Sequence, residues 1–108
     1  MIRPSRVKFI DHELEQSFNL LREDDFLKKA INRSINDLKQ NAFSGIQVSK
    51  KLIPKVYLRK YRINNLWKLD LPKGWRLMYT VTVDNEVELI SAILEWLNHK
   101  EYERKFKY

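Results

Sequence analysis

The chain has 108 residues, 44% hydrophobic and 12% aromatic, with 32% charged and a formal net charge of +7. That is enough for one core and too little for two, so a single domain over 1–108 is expected and disorder is a poor description. The absence of cysteine excludes a disulfide framework and thiolate chemistry and fits a reducing compartment, with the cytoplasm as the expected location. No apolar run approaches the ~20 residues of a membrane span, and the opening MIRPSRVKFIDHE has no stretch of signal-peptide length.

In chain order, Arg6 to Ile10 reads as a short strand. Asp11 then offers a helix N-cap, with Glu13 and Glu15 well placed against the helix dipole and Leu14, Phe18 and Leu21 as the apolar stripe. A second helix is predicted from near Asp24 to about Gln40, with Leu27, Ile31, Ile35 and Leu38 on one face, widened by Phe26 and Ala30. Lys28, Lys29, Arg33 and Lys39 fall on the expected solvated side. NAFSGIQVSKKLIP reads as a loop ending at Pro54, which suits the first position of a short third helix carrying Val56, Tyr57, Leu58 and Tyr61 and ended by Asn64 and Asn65.

Strand signals follow. In LWKLDL, Trp67, Leu69 and Leu71 point one way and Lys68 and Asp70 the other. WRLMYTVTV repeats the alternation, with Trp75, Leu77, Tyr79, Val81 and Val83 opposite Arg76, Met78, Thr80 and Thr82. Pro72-Lys73-Gly74 between them fits a three-residue hairpin loop with the glycine left-handed, which sets Leu71 against Trp75, Asp70 against Arg76 and Lys68 against Met78. Asp84-Asn85 reads as a second tight turn, VELISAILEWL as a central strand buried on both faces, with a helix open by periodicity alone, and HKEYERKFKY as a polar tail with one or two helical turns. The predicted architecture is α+β: two N-terminal helices packed on an antiparallel sheet of about four strands, in the order β-α-α-(short α)-β-β-β-tail.

The charge is unevenly placed. Residues 1–37 carry seven bases and seven acids, residues 70–108 six and seven, and the 32 residues between Asp37 and Asp70 hold eight bases and no acid. Lys50, Lys51, Lys55, Arg59, Lys60 and Arg62 of this segment, interleaved with Tyr57, Tyr61 and Trp67 and followed by Lys73, are the composition of a nucleic-acid surface, although an acidic protein partner would use the same cations. Two histidines and no cysteine provide no metal-ligand spacing, so neither a metal nor another cofactor is expected.

The run NLWKLDLPKGWRLMYTV, then an apolar strand, then HKEYERKF, resembles the RelE/ParE superfamily of bacterial and archaeal toxins. Gly74, Trp75, Arg76, Leu77 and Tyr79 match its G-(Tyr/Trp)-R-(aliphatic)-x-Tyr strand, and His99, Lys100 and Tyr102 its basic terminal segment. The likeness covers the second half closely, while the first strand and helices agree in order and length. It implies a toxin of a toxin-antitoxin system, either an mRNA interferase that cuts ribosome-bound messenger RNA without a metal or a relative that poisons gyrase. It further implies a cognate acidic antitoxin, which would mediate any oligomer, and no membrane partner.

In the ribonuclease members the substrate's own 2′-hydroxyl attacks the adjacent phosphate, so the protein has to hold the phosphate, stabilise added charge and help move protons. The resemblance gives Arg76 the phosphate-gripping role, Lys68 that of holding or deprotonating the substrate, and His99 and Tyr102 that of a proton donor or base-stacking ring. Asp70 and Trp96 stand at or near positions where members carry further basic residues. A cross-strand Asp70–Arg76 ion pair, and a non-catalytic binding or regulatory module of the same fold, are therefore the competing expectations.

Overall fold

The computed structural model describes residues 2–84 and 88–106. The strand Arg6–Phe9 (β1) leads into helices His12–Leu20 (α1) and Phe26–Gln40 (α2). A short strand Ile46–Val48 (β2) and helix Lys55–Tyr61 (α3) precede a meander of Leu66–Asp70 (β3), Arg76–Asp84 (β4) and Glu88–Leu97 (β5), and His99–Phe106 forms helix α4. The fold is α+β. Asn85 of the expected second turn lies outside the described residues.

The helix ends follow the sequence. Asp11 Oδ1 accepts from the Leu14 backbone N–H at 2.8 Å, and Asp25 Oδ1 from that of Leu27 at 2.8 Å, each capping a helix start whose own amides have no earlier carbonyl to meet. In α2, Leu27, Ala30, Ile31 and Leu38 are buried against the sheet. Lys28 is a correction: expected on the solvated face, it is only 6% exposed. Its ammonium reaches Glu23 Oε1 at 2.6 Å and the Leu21 carbonyl at 3.1 Å and lies 5.3 Å from the Phe18 ring centre, so it seals the α1–α2 corner with its charge matched.

Two further corrections concern the sheet. It has five strands among the described residues, in the order β1-β5-β4-β3-β2, and it is mixed rather than antiparallel, because β1 runs parallel to β5 with Arg6 opposite Ile90 and Phe9 opposite Ile93. The segment expected to be a loop contributes the extra edge strand β2, paired antiparallel with β3. The strand choice for residues 88–97 holds: β5 sits between β1 and β4 and is buried on both faces through Leu89, Ser91, Ala92, Ile93, Leu94 and Leu97.

The β3–β4 register is the expected one, with Asp70 opposite Arg76 and Lys68 opposite Met78, and Leu71 N–H donating to the Trp75 carbonyl at 2.8 Å. Gly74 takes the left-handed conformation at φ 79°, and Lys73 does so as well at φ 61°. Trp67, Leu69, Leu77 and Tyr79 pack with α1 and α2. The opposite face, where the polar residues of both strands were expected together with Met78, holds a second core of Leu66, Met78, Leu94 and Leu97 under Tyr57 of α3 and Tyr102 of α4. The expected polar tail is thus a docked helix through residue 106, started by a reciprocal cap in which Asn98 Oδ1 accepts from Glu101 N–H at 2.8 Å and Glu101 Oε1 from Asn98 N–H at 2.9 Å.

Tyr79 ties this frame together. Its hydroxyl donates to the Ala42 carbonyl at 2.9 Å and accepts from Gly45 N–H at 3.0 Å, holding the turn before β2 against the central sheet. Burial pushes its pKa up to about 12, with the Gly45 hydrogen bond pulling the other way, and burial also raises those of Tyr57 and Tyr61. Because the folded state holds these protons more tightly than the unfolded chain, their stabilising effect is complete below pH ~10 and is lost as pH rises toward 12. Phenolate absorbance should therefore lag behind that of free tyrosine and rise together with unfolding, and Tyr79→Phe should flatten that alkaline limb.

Candidate nucleic-acid interface

The hairpin parity places Lys68 and Arg76 on the same face of the sheet, at its α4 end. The Tyr102 ring lies beneath both: Lys68 Nζ is 5.3 Å and Arg76 Cζ 5.1 Å from its centre. Tyr102 itself is only 3% exposed and stacks on Phe106 at 4.6 Å, so it serves as a floor to the two cations. Lys68 is partly exposed and enters no ion pair among the described residues.

Arg76 is more constrained. Its side chain is 19% exposed, Nη1 donates to the Gly74 carbonyl at 2.8 Å and is 3.3 Å from that of Trp75, and Nε lies 3.0 Å from Asp70 Oδ1. The last contact is an ion pair by distance without donor alignment, since Nε is buried and makes no hydrogen bond. Nη2 makes no hydrogen bond among the described residues, so the guanidinium is anchored on one edge and retains a donor on the other.

His99 reaches the same corner through Gly74. A Cβ at residue 74 would stand 3.2 Å from the His99 Cβ, so glycine lets the hairpin loop close on the first turn of α4 as well as supplying the positive φ. The exposed imidazole has Nε2 3.2 Å from Glu103 Oε1, one helical turn on.

The other cations of the acid-free segment are exposed but do not form one patch. Lys51, Lys55 and Arg59 line a groove of about 510 Å³ with Lys105, around exposed Leu52 and Val56. Lys50 is exposed nearby on the turn Lys50–Leu52. Lys60 faces elsewhere, over the Tyr61 ring and in a smaller hollow with Asp11, Glu13 and Glu95. Lys73 crosses to the α2 side, its Nζ 4.1 Å from the Phe26 ring centre. Arg62 lines a separate groove with Lys8, a cation the sequence reading passed over although the β1 alternation places it opposite half-buried Val7 and Phe9. Lys105, also missed, had no signal beyond the helical spacing of the tail.

Among the described residues no group of three or more histidine, cysteine or carboxylate side chains is placed to hold a metal ion, and no helix is long and apolar enough to cross a membrane. Comparison with known protein families, with curated proteins and with solved structures finds no match for this chain.

Asp70→Asn separates the two roles open to Arg76. If Arg76 meets a phosphate, removing the neighbouring carboxylate should tighten single-stranded RNA binding by roughly 3- to 10-fold, equivalent to about 1 kcal/mol of relieved repulsion. Loss of the cross-strand pair should cost only about 0.2–1 kcal/mol in a urea melt. Anisotropy titration of a labelled oligoribonucleotide reads the first effect, and unchanged affinity would leave the pair purely structural.

Proposed function

We propose that the protein is a RelE-type toxin that cleaves ribosome-bound messenger RNA in the cytoplasm without a metal, and that an acidic antitoxin holds it inactive. The observation that carries this reading is the pairing of Lys68 and Arg76 over one aromatic floor, with His99 brought to the same corner by Gly74. In this reading Arg76 Nη2 and the Lys68 ammonium hold the scissile phosphate and stabilise the charge that builds as the 2′-oxygen bonds to phosphorus. The 2′-hydroxyl proton passes to solvent water and the P–O5′ bond breaks, leaving a 2′,3′-cyclic phosphate and a 5′-hydroxyl. In the same reading His99, with Glu103 3.2 Å from its Nε2, protonates the leaving oxygen. Tyr102 supports the two cations from below. The groove of Lys51, Lys55 and Arg59 around Leu52 and Val56, with Lys105 at its side already paired to Glu95 at 3.0 Å, suits an acidic amphipathic antitoxin segment.

A second reading, a non-catalytic binding module of the same fold such as a gyrase poison or an antitoxin-binding regulator, draws on the anchoring of Arg76 by Asp70 and two carbonyls. Incubating purified protein with programmed ribosomes and mapping messenger ends decides between them. Cleavage within the ribosome-held message, with growth arrest relieved by Arg76→Ala, is expected. Intact messenger together with inhibited gyrase would replace the ribonuclease reading by the second one.

A further inference from the structure

At the opposite end of the same sheet face, beyond the cover of α3 and α4, lies a groove of about 450 Å³. Its floor includes Thr80 and Thr82 of β4, its apolar wall Tyr61 and Ile63, and Lys8 and Arg62 stand in its lining. Both cations are exposed and enter no ion pair among the described residues. The nearby carboxylates Asp84 and Glu88 are taken by Arg6, at 3.7 and 3.4 Å. Neutral donors are also left over: Asn64 Oδ1 accepts from Asn65 at 2.8 Å, and among the described residues neither the Asn64 amide nitrogen nor the Thr82 hydroxyl makes a hydrogen bond.

The backbone at Arg62 adds an independent observation. It ends α3 in the left-handed region at φ 54° and ψ 40°, the position that helices usually give to glycine or asparagine. A cation therefore stands where a residue without a side chain would be more stable, and strain of that kind marks sites where the side chain is used.

We propose that this groove seats one nucleotide unit of a single-stranded nucleic acid, with its phosphate held by Lys8 and Arg62 and its base against Tyr61 and Ile63. Two cations, two spare donors and an apolar wall in a groove of this volume match a nucleotide better than a bare anion, which needs no wall, or an apolar ligand, which needs no cations. The inference rests on the nucleic-acid reading above but not on cleavage. Arg76 and Thr82 are six residues apart along β4, roughly 20 Å at the rise of a strand. A strand of several nucleotides would thus touch both sites, and the linkage would strengthen its binding.

Titration with 5′-nucleoside monophosphates, followed by amide resonances of the full chain, tests this. Saturable shifts are expected at Thr80, Thr82 and Ala92, abolished in Lys8→Gln/Arg62→Gln and kept in Arg76→Gln. Arg62→Gly is the second variant: it should be more stable in a thermal melt and still bind less tightly, a combination that a structural role for Arg62 does not produce. Oligoribonucleotides of about six nucleotides should lose roughly 10-fold in affinity in the Lys8/Arg62 double variant, with a shallower salt dependence, while dinucleotides bound at Arg76 should not. Equal shifts with inorganic phosphate alone would overturn the nucleotide assignment. Shifts confined to the Lys68 corner, or none at all, would overturn the site. Groove shifts in a protein that leaves ribosome-bound messenger intact would sink the ribonuclease reading and keep this one.

Discussion

Arg76→Gln is expected to lower cleavage of ribosome-bound messenger RNA by roughly 100- to 1,000-fold, the usual cost of removing one preorganised donor from a developing oxyanion. The loss should appear in single-turnover rate more than in RNA affinity, because exposed Lys51, Lys55 and Arg59 still attract the backbone. Glutamine retains an N–H donor but carries no charge and has no fork to span Gly74 on one edge and a phosphate on the other. The same variant should fold: it forfeits the hydrogen bonds to the Gly74 and Trp75 carbonyls and the Asp70 pair, a cost of about 1–2 kcal/mol against a core it does not enter. Rapid-quench cleavage beside a urea melt checks both halves. A rate within a few-fold of wild type would remove Arg76 from the chemistry.

Gly45→Val should produce the largest loss of stability. A Cβ at that position would stand 2.4 Å from the Lys68 carbonyl oxygen and 2.9 Å from the Tyr79 hydroxyl, and the first of these is backbone that cannot rotate away. Relief requires β2 to part from β3 and the Tyr79 anchor to Ala42 and Gly45 to break. Overpacking costs about 1–3 kcal/mol and each buried hydrogen-bonding group left unpaired about 1–3 kcal/mol more. The transition should fall markedly in a thermal melt, and RNA affinity should fall with it, since Lys68 sits on the strand from which β2 parts. Gly45→Ala places the same Cβ and should reproduce most of the loss, whereas a melt unchanged by either substitution would mean that the turn is held some other way.

The β3–β4 hairpin was legible because two effects agreed on it. Alternation set which side chains share a face, and the Pro72–Gly74 loop set the register, so Lys68 and Arg76 could be put on one side without any tertiary knowledge. The parallel pairing of β1 with β5 was not legible, since residues 6–9 meet residues 90–93 through no local turn. β2 escaped because it is three residues long at a sheet edge, with Ile46 exposed, and has no alternation to show. Lys28 defeats charge patterning outright, as an aliphatic stem and a matched ammonium let it close a corner.

The site was half legible. Its two cations followed from parity, but the Tyr102 floor depends on where α4 docks, and in the sequence Tyr102 and Phe106 are two rings in a polar run. The acid-free segment was a true count and an incomplete picture. Folding brings Asp11, Glu13 and Glu95 to Lys60 and sends Lys73 to the α2 side, leaving two basic grooves from a segment whose composition is that of a nucleic-acid surface.

The proposed cleavage depends on the Lys68–Arg76 corner receiving a phosphodiester, and the salt dependence of RNA binding measures that most directly. Titrating a single-stranded oligoribonucleotide into wild type and into Lys68→Gln/Arg76→Gln over a range of salt concentrations should give weaker binding in the variant. The slope of log affinity against log salt should be shallower by about 1.4, the value expected when two fewer phosphates of a single strand are neutralised. Equal affinity and equal slope for the two proteins would contradict the assignment.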